Sequence, residues 1–289
     1  MTAEPVRQSV AVAIHTLEAD GALPTAAQLA ARRQRIVEVI GEASAAGARL
    51  VVFPEGAFGS PGKGAISRSA PLVDEADWSK LEWSSLRSEL GAIAAAARRY
   101  GVWVVIGAPH QLSETRRPHN SLYVISDAGE VVTRYDKRRL STTEITYMFT
   151  PGTEAITFDV DGIKVGLVVG LELLFPDLFT DYADRGVDLI LACSHGGGIF
   201  EQLARSYAAI NVVPVALVIP ADPADASSAG IYGWNGPIGV VSDQSVPQTI
   251  VTTVTRRDSE PTFHFKARHG FYSTHLAPDE PRSHSRAAF

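Results

Sequence analysis

Val165–Phe179 reads VGLVVGLELLFPDLF, and this stretch decides the fold. The apolar run Ile163–Val169 is short, rich in β-branched residues and stops at Gly170, the pattern of a buried strand rather than a helix. A helix is predicted from Pro176, a residue well suited to a first helical position. A strand that turns sharply into a helix exposes one side chain at the turn. It also directs backbone N–H groups toward the same point. Such an elbow suits a nucleophile beside an oxyanion hole. A glycine there, taken alone, is a residue that permits a tight turn.

Outward from this elbow the pattern is alternating. Upstream, Ala155–Val160 and Ile163–Val169 flank Asp161-Gly162, a strong hairpin dipeptide. Downstream, a helix Pro176–Ala183, a strand Val187–Ala192, a helix Phe200–Asn211 and a strand Val213–Ile219 follow. Gly230–Ser242 and Thr249–Thr255 read as a closing pair of antiparallel strands. The first half repeats the plan, with strands at Ser9–His15, Ala48–Phe53 and Val102–Ile106. Between them lie helices at Thr25–Ala46, with Gly47 at its C-terminus, and at Asp77–Tyr100, stopped by Gly101. Ser121–Ser126 and Val131–Tyr135 form a further hairpin pair. Strand–helix alternation interrupted by hairpins predicts an α/β fold of mixed sheets layered with helices. The whole of 1–289 reads as one domain, with a polar tail from about Thr274 that lies on a surface or a partner subunit.

The composition narrows the function. A net charge of −6 gives no basic footprint for nucleic acid, and no polybasic patch points to a membrane surface. The longest apolar stretch, Val212–Pro220, is too short to span a bilayer, and the N-terminus lacks the pattern of a signal peptide. The single cysteine, Cys193, excludes an intramolecular disulfide and a multi-cysteine metal site, and fits a reducing cytoplasm. The eight histidines are scattered without metal-ligand spacing, so no metal is expected.

Two further segments end predicted strands, where α/β active sites gather. Glu55 follows Phe53-Pro54, and a carboxylate there needs a partner. Lys137 follows Val131–Tyr135 in the run YDKRRL. Alone, the first reads as a cap or ion-pair partner and the second as a solvated lysine. His195 with Gly196–Gly198 reads as a flexible, pocket-lining loop that could touch substrate. GSPGKG, Gly59–Gly64, lacks the spacing of a phosphate loop and reads as a mobile loop shaping access to the site.

Together these segments resemble the nitrilase, or carbon–nitrogen hydrolase, superfamily. The chain carries FPE at Phe53–Glu55, NSLYVI at Asn120–Ile125, YDKRRL at Tyr135–Leu140, TPG at Thr150–Gly152 and GLVVGLELLFPD at Gly166–Asp177, in the family's order and spacing. The resemblance covers about Val10 to Thr255. It implies a four-layer α-β-β-α sandwich, a homodimer or larger homo-oligomer, a small-molecule substrate, and no cofactor. Carried over by position, Glu55 is the general base and Lys137 the cation that stabilises the oxyanion. Glu144, in STTEITYMFTPG, matches a second, substrate-orienting glutamate. Leu171 supplies a backbone N–H to the oxyanion, Glu172 keeps the surroundings of the elbow, and Leu171, Glu172, Cys193 and His195 together border the substrate.

The column that holds the family's nucleophilic cysteine falls on Gly170. Glycine cannot form an acyl-enzyme, and loss of a nucleophile in a comparable triad leaves roughly 10³–10⁴ of acceleration. Four readings follow: Cys193 substitutes; Glu55 activates water or an amine for direct attack on an amide, nitrile or related acyl group; the chain is a silent homologue or binding subunit; or it is a cysteine-to-glycine variant of an ordinary amidase or nitrilase.

Overall fold

The structure is a computed structural model that describes residues 8–17 and 21–257. The polar tail expected from about Thr274 lies outside the described residues.

The first sheet begins with β1 (Ser9–His15), followed by α1 (Ala26–Ala45) and β2 (Leu50–Val52). The N-terminus of α1 carries a capping box in which Thr25 and Gln28 satisfy each other's backbone donors. The four-residue α2 (Lys63–Ile66) and then α3 (Trp83–Tyr100) come next. The strands β3 (Trp103–His110), β4 (His119–Ile125) and β5 (Val131–Asp136) complete this half. The second half holds the hairpin β6 (Thr157–Val160) and β7 (Ile163–Val169), then α4 (Pro176–Asp184), β8 (Leu189–Cys193) and α5 (Phe200–Asn211). It closes with β9 (Val215–Val218), β10 (Gly230–Gly233), β11 (Gly236–Val240) and β12 (Thr249–Thr255).

Among the described residues these form two six-stranded mixed sheets, ordered β12-β1-β2-β3-β4-β5 and β11-β10-β9-β8-β7-β6. The strand period of two sorts side chains between two cores. Val12, Ile14, Leu50 and Val52 join Val165, Leu167 and Val169 between the sheets, whereas Ala13 and Val51 pack with Ile36, Ile40 and Ile93 of α1 and α3. The sheets therefore lie face to face with helices outside, the four-layer sandwich expected from the motifs.

Two expectations need correction. Thr249–Thr255 does not pair with the preceding strand; β12 runs antiparallel to β1, from Ser9↔Thr255 to His15↔Thr249, while β10 and β11 form their own hairpin. β12 thus leaves one sheet for the other, a long-range pairing that local pattern does not encode. The helix expected over Asp77–Tyr100 is broken. Trp78–Lys80 is a 3₁₀ turn and Leu81 is extended before α3 starts. Trp78 is held there by its indole N–H to Met148 O at 2.9 Å and by ring contact with Phe149.

The topology collects the candidate residues at one end. β1, β2 and β3 are mutually parallel, as are β7, β8 and β9. Two successive antiparallel pairings return β5 to the direction of β3. Glu55 beyond β2, Lys137 beyond β5, Gly170 beyond β7 and His195 beyond β8 therefore all lie past strand C-termini. At the opposite end, Arg49 joins the β4–β5 turn to the β6–β7 turn through Asp127 and Asp161, each at 2.8 Å.

Candidate active site

β7 stops because Gly170 adopts φ +54°, a left-handed conformation that side chains with a Cβ rarely take. A 3₁₀ turn, Gly170–Leu174, leads into α4, where Pro176 occupies the first position. Leu171, the second residue of that turn, lies where backbone N–H groups lack an acceptor inside the turn.

The elbow is fastened from behind by Glu172. This side chain is fully buried, and its oxygens accept from Tyr135 Oη (2.7 Å) and from the backbone N–H groups of Val169 (2.7 Å), Arg138 (2.7 Å) and Arg139 (3.0 Å). Burial pushes its carboxyl above the ordinary glutamate value despite those donors. Glu172 thus ties the end of β7 to the end of β5. All four donors lie inside the protein, so Glu172 clamps the elbow from behind rather than lining the substrate site, where the resemblance had placed it.

In front of the elbow, Glu55, Lys137 and Glu144 form one buried cluster, none more than 8% exposed. Lys137 Nζ donates to Glu55 Oε1 at 3.0 Å and to Glu144 Oε1 at 2.9 Å. Burial alone would push the Lys137 ammonium down; the two carboxylates outweigh it and hold it well above the ordinary lysine value. For Glu144, burial is outweighed by Lys137, by the Ser141 N–H at 2.8 Å and, more weakly, by Lys63. Its carboxyl is held below the ordinary value. Glu144 opens a π-helical turn, Glu144–Met148, a form frequent at functional sites.

Glu55 has two more donors. Asn120 Nδ2 reaches Oε1 at 2.7 Å, and the backbone N–H of His195 reaches Oε2 at 3.1 Å. Oε2 faces Gly170 so closely that a Cβ at that position would be 3.0 Å from the carboxylate carbon and nearer still to the oxygen. Glu55 therefore fills the space a side chain at Gly170 would take. A cavity of about 230 Å³ opens beside the following loop, lined by Gln28, Arg32, Gly56, Ala57, Gly59 and Ser60 among others, but not by Glu55 or Lys137.

The remaining candidates separate. His195 lies at the surface with only its backbone N–H on Glu55. Cys193 pairs in register with Val169, beside the elbow, yet is fully buried in the core between the sheets. Burial, with a smaller contribution from the nearby Glu55, pushes its thiol far above the ordinary value. Cys193 presents no open face to a substrate, and a thiol held protonated is a poor nucleophile. Among the described residues no cluster of His, Cys, Asp and Glu could hold a metal ion. No helix there is long and apolar enough to cross a membrane. Asn120 was not singled out from sequence as a partner of Glu55. Its signal was the asparagine of NSLYVI, a polar residue near the start of β4.

A two-sheet sandwich whose parallel strand ends gather a Glu–Lys–Glu cluster beside a strand–turn–helix elbow defines a particular class of hydrolase fold. The chain belongs to the carbon–nitrogen hydrolase family, whose model matches residues 11–259. It is 32% identical over 252 residues to a hydrolase of Mycobacterium tuberculosis strain H37Rv, covering 78% of this chain and 84% of that protein. It is 26% identical over 214 residues to a human omega-amidase, covering 69% and 71%. Among solved structures it is similar to an amidase of Nesterenkonia sp. AN1 in a form with the acetamide moiety of fluoroacetamide added to the active-site cysteine. That match has TM-score 0.73 at 18% identity and covers 94% of this chain and 98% of that one.

Proposed function

We propose that this chain cleaves the carbon–nitrogen bond of a small amide, nitrile or related acyl substrate without a covalent cysteinyl intermediate. One observation carries the reading: two carboxylates and one ammonium are buried together beside the elbow. A charge cluster with one carboxylate in excess is expensive to bury, and a purely structural role would be served as well by apolar packing. In this reading Gly170 stands where the family has its nucleophile, and Glu55 acts as the general base that activates water. Lys137, with the Leu171 N–H, stabilises the oxyanion that forms on the attacked carbonyl. Glu144 fixes the ammonium of Lys137 and orients substrate, and His195 borders it. We propose further that the protein works in the cytoplasm, which its single cysteine fits, and as a homodimer or larger homo-oligomer, a reading supported by the half-exposed Leu174 and Ile210 near α4 and on α5.

A second reading is favoured by a different observation. The Glu55 carboxylate occupies the space beside Gly170, as expected of a frame that binds but no longer turns over. Turnover of small amides in ¹⁸O-water, followed by intact-protein mass spectrometry, separates the two. The direct route expects one ¹⁸O in the acid product, no protein adduct, and a loss of at least about 10² in kcat/KM for Glu55→Gln. A protein-bound acyl group, or unchanged turnover in Glu55→Gln, overturns it. Hydrolysis that appears only in Gly170→Cys, where Glu55 must swing aside, establishes the silent frame.

A further inference from the structure

We propose that the groove between α3 and the outer face of β4 and β5 is a second binding site, for a small carboxylic acid that carries an aromatic ring. The groove shares no residue with the Glu55–Lys137–Glu144 cluster. Side chains of α1 and α3 cover the outer face of the first sheet, but β5 stands at its edge, and Val131 there is 55% exposed. That uncovered step leaves a groove of about 330 Å³. Trp83, Leu86, Leu90 and Ala94, three or four positions apart along α3, form its wall, and Tyr123 and Ile125 of β4 form its floor. Such a volume holds roughly ten non-hydrogen atoms, taking the ~30 Å³ that each water fills in the liquid.

Gly91 points to an occupant. It lies in the middle of α3 and lines the groove, and among the described residues no atom comes within 4 Å of where its Cβ would stand. A glycine inside a helix destabilises it relative to alanine. Gly41 of α1 has a packing reason, because the Tyr100 ring would stand 3.0 Å from its Cβ; Gly91 has no such neighbour. Its missing side chain instead widens the groove midway along the wall, where a ligand ring would lie.

The polar lining supplies one positive charge. Arg87 Nη1 donates to Gln111 Oε1 at 2.8 Å, and among the described residues Arg87 pairs with no carboxylate, so the rest of its guanidinium fork can meet one. The other ionisable groups lining the groove do not cancel that charge. His110 Nδ1 and Tyr123 Oη lie 2.7 Å apart. Burial, and after it Arg134, holds His110 below the ordinary histidine value, while burial pushes the Tyr123 hydroxyl up, so both are uncharged at neutral pH. Behind them, Arg134 and Asp136 neutralise each other in a bidentate pair. The Trp83 indole N–H is spent internally on Trp78 O at 2.9 Å, which leaves the ring as apolar surface for an aromatic ligand. One cation beside an apolar, aromatic-lined groove fits a monoanion with an aryl tail.

Calorimetric titration with 3-phenylpropanoate, 3-phenylpropan-1-ol and propanoate tests this in wild type, Arg87→Gln and Gly91→Leu. Wild type is expected to bind 3-phenylpropanoate at least about tenfold more tightly than the alcohol, which lacks the charge, and than propanoate, which lacks the ring. Arg87→Gln should lose the advantage over the alcohol. Gly91→Leu, which fills the groove, should lose both aryl ligands while melting at or above the wild-type temperature. No binding by wild type at about 10 mM ligand, or binding unchanged in Gly91→Leu, overturns the proposal. An acid bound at the elbow instead would survive Gly91→Leu and so counts against it. Should Gly91→Leu fail to fold, Arg87→Gln still decides, because an undiminished preference for the carboxylate there overturns the assignment.

Discussion

Two buried carboxylates flank the Gly170 elbow, and the regions that hold them are built differently. Behind it, three of the four donors to Glu172 are backbone N–H groups at strand and turn ends, and the fourth is the hydroxyl of fully buried Tyr135. In front of it, Glu55 takes two of its three donors from side chains, Asn120 and the cation Lys137. A carboxylate fixed by backbone donors cannot move without bending the fold. One held by side chains can exchange its partners for a substrate or water. The contrast assigns architecture to Glu172 and proposed chemistry to Glu55, although both are acidic residues beside the same glycine.

The largest expected effect comes from removing Lys137, the cation that bonds both Glu55 and Glu144. Lys137→Met leaves Glu55 and Glu144 facing each other in a buried space and should destabilise the protein by about 3–5 kcal/mol at neutral pH. The pH dependence should also change sign. In wild type the carboxyl of Glu144 is held low, so its contribution is present above the ordinary glutamate value. That contribution is lost as pH falls through the lower folded value. In the variant Glu144 stays buried without that cation, so its carboxyl should favour protonation and stability should rise as pH falls toward the ordinary glutamate value. Denaturant midpoints as pH falls to that value test this; parallel curves for the two proteins would mean that Lys137 does not hold the cluster.

Much of this arrangement was legible in the chain. Strand ends before Glu55, Lys137 and Gly170 follow from apolar period and from breakers close by in sequence, so their common edge could be anticipated. The inward turn of Glu172 could not, because its donors come from Arg138 and Arg139, more than thirty positions earlier. The pairing of β12 with β1 joins residues more than 230 positions apart for the same kind of reason. Asn120 was visible as a polar residue opening a strand, but which carboxylate it would meet depends on β4 lying next to β3 and β5. Local pattern reports what a segment buries; it does not report what comes to meet it.

The next effect tests the rear region. Glu172→Gln keeps the shape but turns an amide NH₂ toward N–H and O–H donors, which should lower stability by about 2–3 kcal/mol. The wild-type pH dependence gives a second handle. Burial raises this carboxyl, so the folded state favours its protonated form. Its contribution is greatest below the ordinary glutamate value and declines as pH rises through the higher folded value. Glu172→Gln should abolish that decline in thermal-melt series. If it left stability intact and changed only catalysis, the division between the two carboxylates would collapse.

The smallest effect should sharpen the division most. Asn120→Ala removes one of three donors to Glu55 while Lys137 and the His195 N–H remain, so stability should fall by only about 1 kcal/mol. The carboxylate, however, loses the contact that fixes its rotation about the Lys137 axis. A base displaced by a fraction of an ångström should reduce kcat by about tenfold or more, with KM nearly unchanged. Asn120→Asp would restore the shape but add a third carboxylate, and should therefore be worse in both readouts. A large loss of stability with kcat preserved would place Asn120 with the rear clamp, and the front of the elbow would then be as rigid as the back.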